Sequence, residues 1–453
     1  MTMHGAPADD IAMRDITSEL RIIDSALGRH LFVVDGSRIY DIPDDTDIAA
    51  LDGMIDEIVP AARRRIDDAP LAPPPLQLLS LNLAQACNMG CSYCYADEGK
   101  FGGRARMMPL DVAKAAVDRL MLEAAPRADL LVGFMGGEPF LHRALMRDIV
   151  PYACAQARRS GRTVRFSVTT NATLLTDDDV RLLADHDFQV AVSIDGPKAL
   201  NDAQRPLNGG GSAYDRIMAA LERFDRLGRP RHLSARATVT PAGGPLLPIL
   251  DHLVGLGFDS VGFSPVLVSP DPRIGFTSAD FDRFRDHMIE CGTKAKRAVL
   301  ARERYPFSNF ETALHEIHRG SHRPYPCGAG AAYLSVDVDG GLYACHRLVE
   351  DERYAMGDVA SGSDRARRAA HLAERHVHRQ EPCRSCWARY LCGGGCYHEV
   401  DRRGRVACDY IRGWLAFCIA SYAEISAQAP GYFAAPERHY PPKARATRVE
   451  VMP

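Results

Sequence analysis

Between residues 76 and 266 the chain alternates short apolar runs with amphipathic stretches, six times over. Runs at 76–83, 130–135, 164–169, 189–194, 233–239 and 260–265 have strand length, and helical spacing fills 110–123, 143–159, 177–185, 214–227 and 246–256. Strand followed by helix, repeated in this way, implies a parallel sheet with right-handed crossovers. The sheet is either open or an incomplete barrel, and in both the chemistry gathers at the carboxyl ends of the strands.

The flanks read differently. In the first 68 residues, short strands at 31–35 and 38–42 joined by Gly36-Ser37 form a hairpin, and 48–65 has helical spacing. The proline-rich stretch 69–75 is a stiff linker, so 1–75 is expected to be a small N-terminal α+β domain and its linker. After a core at 76–268, a helical bridging region at 269–326 (helical over 280–304) leads into a cysteine-rich unit at 327–428, and a proline-containing tail at 429–453 is expected to be mobile. The whole is 453 residues, room for two or three domains. With 55 basic against 58 acidic residues the net charge is −3, and no basic arm is present, so nucleic acid is not expected as a partner. The first twenty residues lack the apolar core of a secretory signal and the apolar stretch at 413–423 is too short to span a bilayer; a cytoplasmic protein without membrane partners is expected.

Thirteen cysteines in such a chain argue against a disulfide framework and for metal. Directly after the first strand comes Cys87-Asn-Met-Gly-Cys91-Ser-Tyr-Cys94. Three thiolates on one tight loop can hold three irons of a [4Fe–4S] cluster and leave the fourth open to a chelating small molecule. Structural zinc, which wants four closed ligands, is the plainer alternative and fits three clustered cysteines poorly.

This triplet, with Tyr93 before its last cysteine, resembles the signature of the radical S-adenosylmethionine (SAM) enzymes. Further matches follow at successive strand ends: Gly136-Gly137-Glu138-Pro139, Thr170-Asn171-Ala172-Thr173, Ser193-Ile-Asp-Gly-Pro197, then Arg205 and Arg236. The resemblance implies a partial (β/α)6 barrel binding SAM, with Tyr93, Gly136, Gly137, Glu138, Asn171, Ser193, Arg205 and Arg236 as its cofactor residues. Their chemistry suits the roles. Glycines admit a close backbone approach, Glu138 can accept from an ammonium, Asn171 and Ser193 suit ribose, and either arginine suits a carboxylate. Ala172 stands where the family often has glycine. Singly, each residue also reads as a turn, a cap or a surface charge; together they favour the cofactor.

A second ordered set follows: Cys327, Gly340 and Cys345, then Cys383-x2-Cys386-x5-Cys392-x3-Cys396 and Cys408. It resembles the seven-cysteine SPASM domain of peptide-modifying radical SAM proteins, which implies two auxiliary [4Fe–4S] clusters and three in all. By that pattern Cys383, Cys386, Cys392 and Cys408 close one cluster, and Cys327, Cys345 and Cys396 hold the other. Zinc on the 383–396 block is again the alternative. Cys154, Cys291 and Cys418 read as structural thiols, with Cys418 the candidate for an eighth ligand.

An iron–sulfur electron carrier or a zinc-stapled binding protein would have no use for the 136–139 and 193–197 motifs. The surroundings of Cys327 and Cys345 resemble the maturases that install thioether cross-links, relatives of those acting on six-cysteine peptides and on quinohemoprotein amine dehydrogenase. The expected activity is therefore that of an oxidoreductase, a peptide maturase joining cysteine to carbon. Formylglycine formation in a sulfatase, or carbon–carbon cross-linking, are the alternatives. Expected partners are a cysteine-containing peptide or protein and an electron donor such as flavodoxin or ferredoxin. Residues 1–75 are compatible with a peptide-recognition unit, or with a plain capping domain. Asp202, in the loop after the fourth strand, is the candidate catalytic base.

Overall fold

The computed structural model describes residues 13–15, 18–53 and 66–434. The chain opens with four antiparallel strands in sequential order, β1 (Met13–Asp15), β2 (Leu20–Ser25), β3 (Gly28–Val33) and β4 (Arg38–Ile42). The expected hairpin is β3–β4; β1 and β2 were not foreseen. Both faces of this sheet are covered. Leu20, Ile22, Leu31 and Val33 form a small core with Ile42 and Leu51. Ile23, Phe32 and Val34 on the other face join the main core, where Phe32 meets Trp387 edge-on at 6.0 Å. Helix Ile48–Gly53 begins the expected 48–65 segment, whose residues 54–65 lie outside the described residues, as does the tail beyond 434.

The six expected strands are all present within two residues: β5 (Leu78–Ala84), β6 (Asp129–Gly136), β7 (Thr163–Thr170), β8 (Phe188–Ser193), β9 (His232–Val239) and β10 (Ser260–Pro265). They run parallel in the order β10-β9-β8-β7-β6-β5. One face of each strand packs apolar residues against the crossover helices, and Phe134, Phe166 and Phe188 stack across β6, β7 and β8. The other face is polar. Ser167, Thr169, Gln189, His232, Ser234 and Arg236 line a cavity of about 530 Å³ inside the curved sheet. The outer edge of β10 is closed by a backbone bridge between Val261 and Phe307 and by Asn309, which accepts from the Phe263 N–H at 2.8 Å and donates to the Phe263 carbonyl at 3.0 Å.

The sheet does not stop at β5. A short strand of the cysteine-rich region, β11 (Tyr333–Val336), pairs parallel with β5, and β12 (Gly341–Tyr343), β13 (Ala355–Asp358) and β14 (Gly362–Ser363) continue antiparallel to give ten strands. Leu334, Val336 and Leu342 thereby enter the same core as Leu79 and Leu81, so this region shares the barrel's core. The bridging helix spans Ser278–Ala301; it starts earlier than expected because Thr277 and Asp280 form a capping box, and ends where Arg302 turns left-handed at φ 59°. The helix Cys408–Gln428 packs on both the bridging helix and β2, fastening the two ends of the chain together.

Phe32→Ala, at the seam between the N-terminal sheet and Trp387, is expected to cost about 3–5 kcal/mol. Hydrogen exchange should show the loss concentrated in β2 and β3.

Candidate functional site

Cys87, Cys91 and Cys94 lie on the turn after β5. The turn is pinned from below: the Gly90 N–H donates to the Pro206 carbonyl, the Asn208 N–H to that of Asn88, and Met89 packs on Leu207. The three thiols are close enough to act on one another's charge. Burial first, then Glu138 and the neighbouring thiols, push Cys87 up to about 12. Metal binding takes thiols as thiolates, and a three-sulfur donor set of this kind fits an iron–sulfur cluster. Among the described residues no group of Cys, His, Asp or Glu closes around a single metal ion.

The glycines of the 136–139 motif make their close approach to the protein itself. A Cβ on Gly136 would sit 2.5 Å from the Ala84 carbonyl oxygen, and one on Gly137 2.1 Å from that of Ala86. Gly99 completes the contact, since its Cβ would lie 2.5 Å from the Gly137 Cα. Backbone hydrogen bonds from Gly137 to Ala84 and from Glu138 to Ala86, both 2.9 Å, lock the cysteine loop onto β6. Glu138 is fully buried, and its carboxylate accepts from Thr170 Oγ1 at 2.7 Å, the Asn171 N–H at 2.7 Å and the Phe140 N–H at 3.1 Å. Burial raises its pKa and these three donors oppose the rise. Its carboxylate therefore ties the end of β6 to that of β7. Asn171 reaches back to Asn88 Oδ1 at 2.9 Å, with its amide nitrogen 3.9 Å from Cys87 Sγ. Ala172 adopts φ 58°, a left-handed backbone that glycine would take more readily.

Tyr93 and Arg205 meet over a carboxylate that sequence reasoning missed. Asp195, 2% exposed, accepts from Tyr93 Oη at 2.6 Å and from the Thr238 N–H at 3.0 Å, and Arg205 Nη1 donates to Tyr93 Oη at 2.5 Å. A carboxylate inside the apolar strand end Val192–Pro197 was the available signal. Arg205 is thus engaged within the protein. Arg236, in register with Ser193, projects into the barrel cavity, and burial is the one influence on its pKa, which it lowers. Arg205 is held through Nη1 while its Nε has no partner among the described residues, so both arginines keep donors for an incoming anion. Asp202 lies within helix Lys198–Gln204, not in a loop. Its oxygens accept from Ser212 Oγ at 2.6 Å and the Tyr214 N–H at 2.8 Å, holding the start of helix Ala213–Leu227. Burial works to raise its carboxyl, and these donors outweigh it, leaving the pKa below the ordinary carboxylate value.

The later cysteines assemble in two groups. The charges of Cys383, Cys386, Cys392 and Cys408 act on one another around a common cavity, and those of Cys327, Cys345 and Cys396 act on one another. Gly393 brings the second group together, because a Cβ there would meet the Tyr325 backbone at 2.3 Å. Tyr95, next to Cys94, connects this group to the first loop. Its ring contacts His346 and His398 edge-on near 6 Å, carries Arg347 at 4.5 Å, and feels both Cys94 and Cys345. Cys418 is fully buried in the main core, and no other cysteine acts on it.

A profile of the Radical SAM superfamily matches residues 81–264, the strands and loops just described. The chain carries a radical SAM domain. It is 25% identical over 347 residues to the serine-type anaerobic sulfatase-maturating enzyme of Klebsiella aerogenes, spanning 74% of this chain and 83% of that one. The cysteine-type anaerobic sulfatase-maturating enzyme of Clostridium perfringens strain 13 is 26% identical over 348 residues, 73% and 91% of the two chains. Among solved structures, a tagged form of anSMEcpe with bound AdoMet aligns with a TM-score of 0.68 at 19% identity over 81% of this chain and 99% of its own. Streptococcus suis SuiB bound to precursor peptide SuiA aligns at 0.52 and 14% identity, over 87% and 98%. At such identities the structural likeness shows a common fold.

The protein is an enzyme, and its radical SAM domain implies SAM and a [4Fe–4S] cluster. Among the described residues no helix is long and apolar enough to cross a membrane. Gly137→Ala would drive a methyl into the Ala86 carbonyl, so anaerobic reconstitution should leave the Cys87 loop short of iron by iron analysis. Gly255→Ala, whose methyl meets open space, should load normally.

Proposed function

We propose that the protein is a radical SAM oxidoreductase that modifies a peptide or protein, joining a substrate cysteine to carbon as a thioether. The observation that carries this reading is the unequal pair of auxiliary cysteine groups. One has four thiols; the other has Cys327, Cys345 and Cys396, while Cys418, the candidate eighth ligand, is fully buried in the apolar core with no other cysteine acting on it. On this reading the protein holds three [4Fe–4S] clusters, and the three-thiol one keeps a corner for a substrate sulfur. Bound SAM and its cluster would supply a carbon-centred radical from the 5′-deoxyadenosyl group. The chain's own residues do the rest. Arg236 would hold the methionyl carboxylate, Ser193 and Asn171 the ribose, and the Tyr93–Asp195–Arg205 cluster would fix the wall they stand on. The polar barrel cavity admits a peptide segment; solved relatives have been captured with the Cp18Cys peptide and with SuiA. Tyr95 keeps the three-thiol group beside the Cys94 loop, so sulfur and radical would meet at short range, which is the source of the rate. Flavodoxin or ferredoxin would supply electrons.

A second reading, oxidation of a sulfatase residue to formylglycine, is favoured by the sulfatase-maturating relatives. Mass spectrometry separates the two. With SAM, reductant and a cysteine-containing substrate peptide, the thioether product keeps its sulfur, loses two hydrogens and resists thiol alkylation. A product that has lost sulfur and reacts with an aldehyde trap would establish the second reading instead.

A further inference from the structure

Directly after Cys396 the Tyr397 hydroxyl, His398 Nδ1 and Glu399 Oε1 all lack a hydrogen-bond partner among the described residues, and the phenol is the neutral donor of the three. Tyr397 follows Cys396 and opens the helix Tyr397–Arg403. It is 3% exposed, and its hydroxyl has no hydrogen-bond partner among the described residues. A buried phenol normally finds one. Packing fixes the ring instead: His371 meets it edge-on with centroids 5.1 Å apart, and the Arg375 guanidinium lies over it at 5.4 Å. His371 in turn lies against Gly330, where a Cβ would stand 2.5 Å from its ring, and the Gly330 N–H donates to the Ala344 carbonyl at 3.0 Å, so the Tyr397 ring is held among the segments that carry Cys396, Cys327 and Cys345. The hydroxyl therefore belongs to the thiol group's surroundings. His371 Nε2 is also unpartnered, but it faces the Gly330 backbone, where a Cβ would stand 3.1 Å from it.

We propose that Tyr397 is the hydrogen-bond donor that receives a substrate thiolate at the open corner of the Cys327, Cys345 and Cys396 site. The inference rests on the thioether reading and adds to it the residue that orients the sulfur. Binding exchanges an S–H bond for a sulfur–iron bond and releases one proton to solvent; no electron moves. The bound sulfur keeps negative charge and lone pairs, and a neutral phenol offers the single donor that matches them. The arrangement favours a cysteine thiolate over a methionine thioether, which carries no charge to receive the bond. Tyr397 is a positioning residue: it fixes where the sulfur points before any carbon radical arrives.

The test uses holoenzyme saturated with SAM, so that the radical SAM site is filled, titrated with N-acetylcysteine amide. Electron paramagnetic resonance of the reduced auxiliary clusters reports binding. The wild type should give a saturable change, and N-acetylmethionine amide none. Tyr397→Phe keeps the ring contacts, so iron content should hold while thiol affinity falls about tenfold or more. Equal thiol affinity in the two proteins would overturn the proposal. So would a Tyr397→Phe spectrum already altered before thiol is added, since the phenol oxygen would then be a ligand itself. If the wild type ignores the thiol, the thioether reading fails and this inference with it. Should Tyr397→Phe lose iron, a fluorinated tyrosine at 397 provides a stronger donor of the same shape; tighter thiol binding supports the proposal and unchanged affinity overturns it.

Discussion

Thiols crowded inside a protein hold on to their protons, because burial and mutual repulsion both oppose the thiolate. Cys87, Cys345 and Cys383 are each pushed up to about 12, with burial the first cause in every case. Sulfur chemistry cannot then be what gathers the cysteines before metal arrives. Backbone contact does it. Gly99 and Gly137 press the Cys87 loop onto β6, and Gly393 presses the Cys392–Cys396 turn onto the segment before Cys327. Each contact leaves no room for a side chain, so the loops are shaped in advance and metal completes them.

The same economy joins the cysteine groups. Because β11 adds to the barrel sheet beside β5, the loop bearing Cys345 emerges next to the loop bearing Cys94, and Tyr95 fills the space between them. A detached auxiliary domain could drift relative to the barrel; this one shares its sheet and its core. The N-terminal sheet is tied to the same region. Arg389 donates to Glu19 at 2.6 Å and to the Cys386 carbonyl at 3.0 Å, and the buried Asp35–His322 pair at 3.2 Å stands beside Tyr390.

What was legible in the sequence was periodic or chemically marked. The six strands are apolar runs regularly spaced between helical stretches and are read within two residues, and the cysteine spacings divide into the groups that the structure brings together. β11 was hidden because four residues, Tyr333 to Val336, carry too little periodicity, and its partner lies some 250 positions earlier. β2 was hidden because both of its faces are buried, which erases alternation. At the site, residue type was legible and direction was not. Glu138 and Arg205 have the chemistry for a cofactor, and the fold also engages them internally, Glu138 with Thr170 and Asn171, Arg205 with Tyr93 and Asp195. Asp202 reads as a loop carboxylate, but it lies in helix Lys198–Gln204 and the segment at Ser212 folds back on it. These outcomes depend on contacts distant in the chain, which no local pattern encodes.

The central claim is that the second auxiliary group has three protein sulfurs and no fourth. Replacing Cys418 tests it directly, because this is the cysteine that could close the corner. Iron analysis and electron paramagnetic resonance of anaerobically reconstituted Cys418→Ala should match the wild type, whereas Cys396→Ala should lose the iron of one cluster, about four atoms. Loss of iron, or an altered auxiliary-cluster spectrum, in Cys418→Ala would contradict the account.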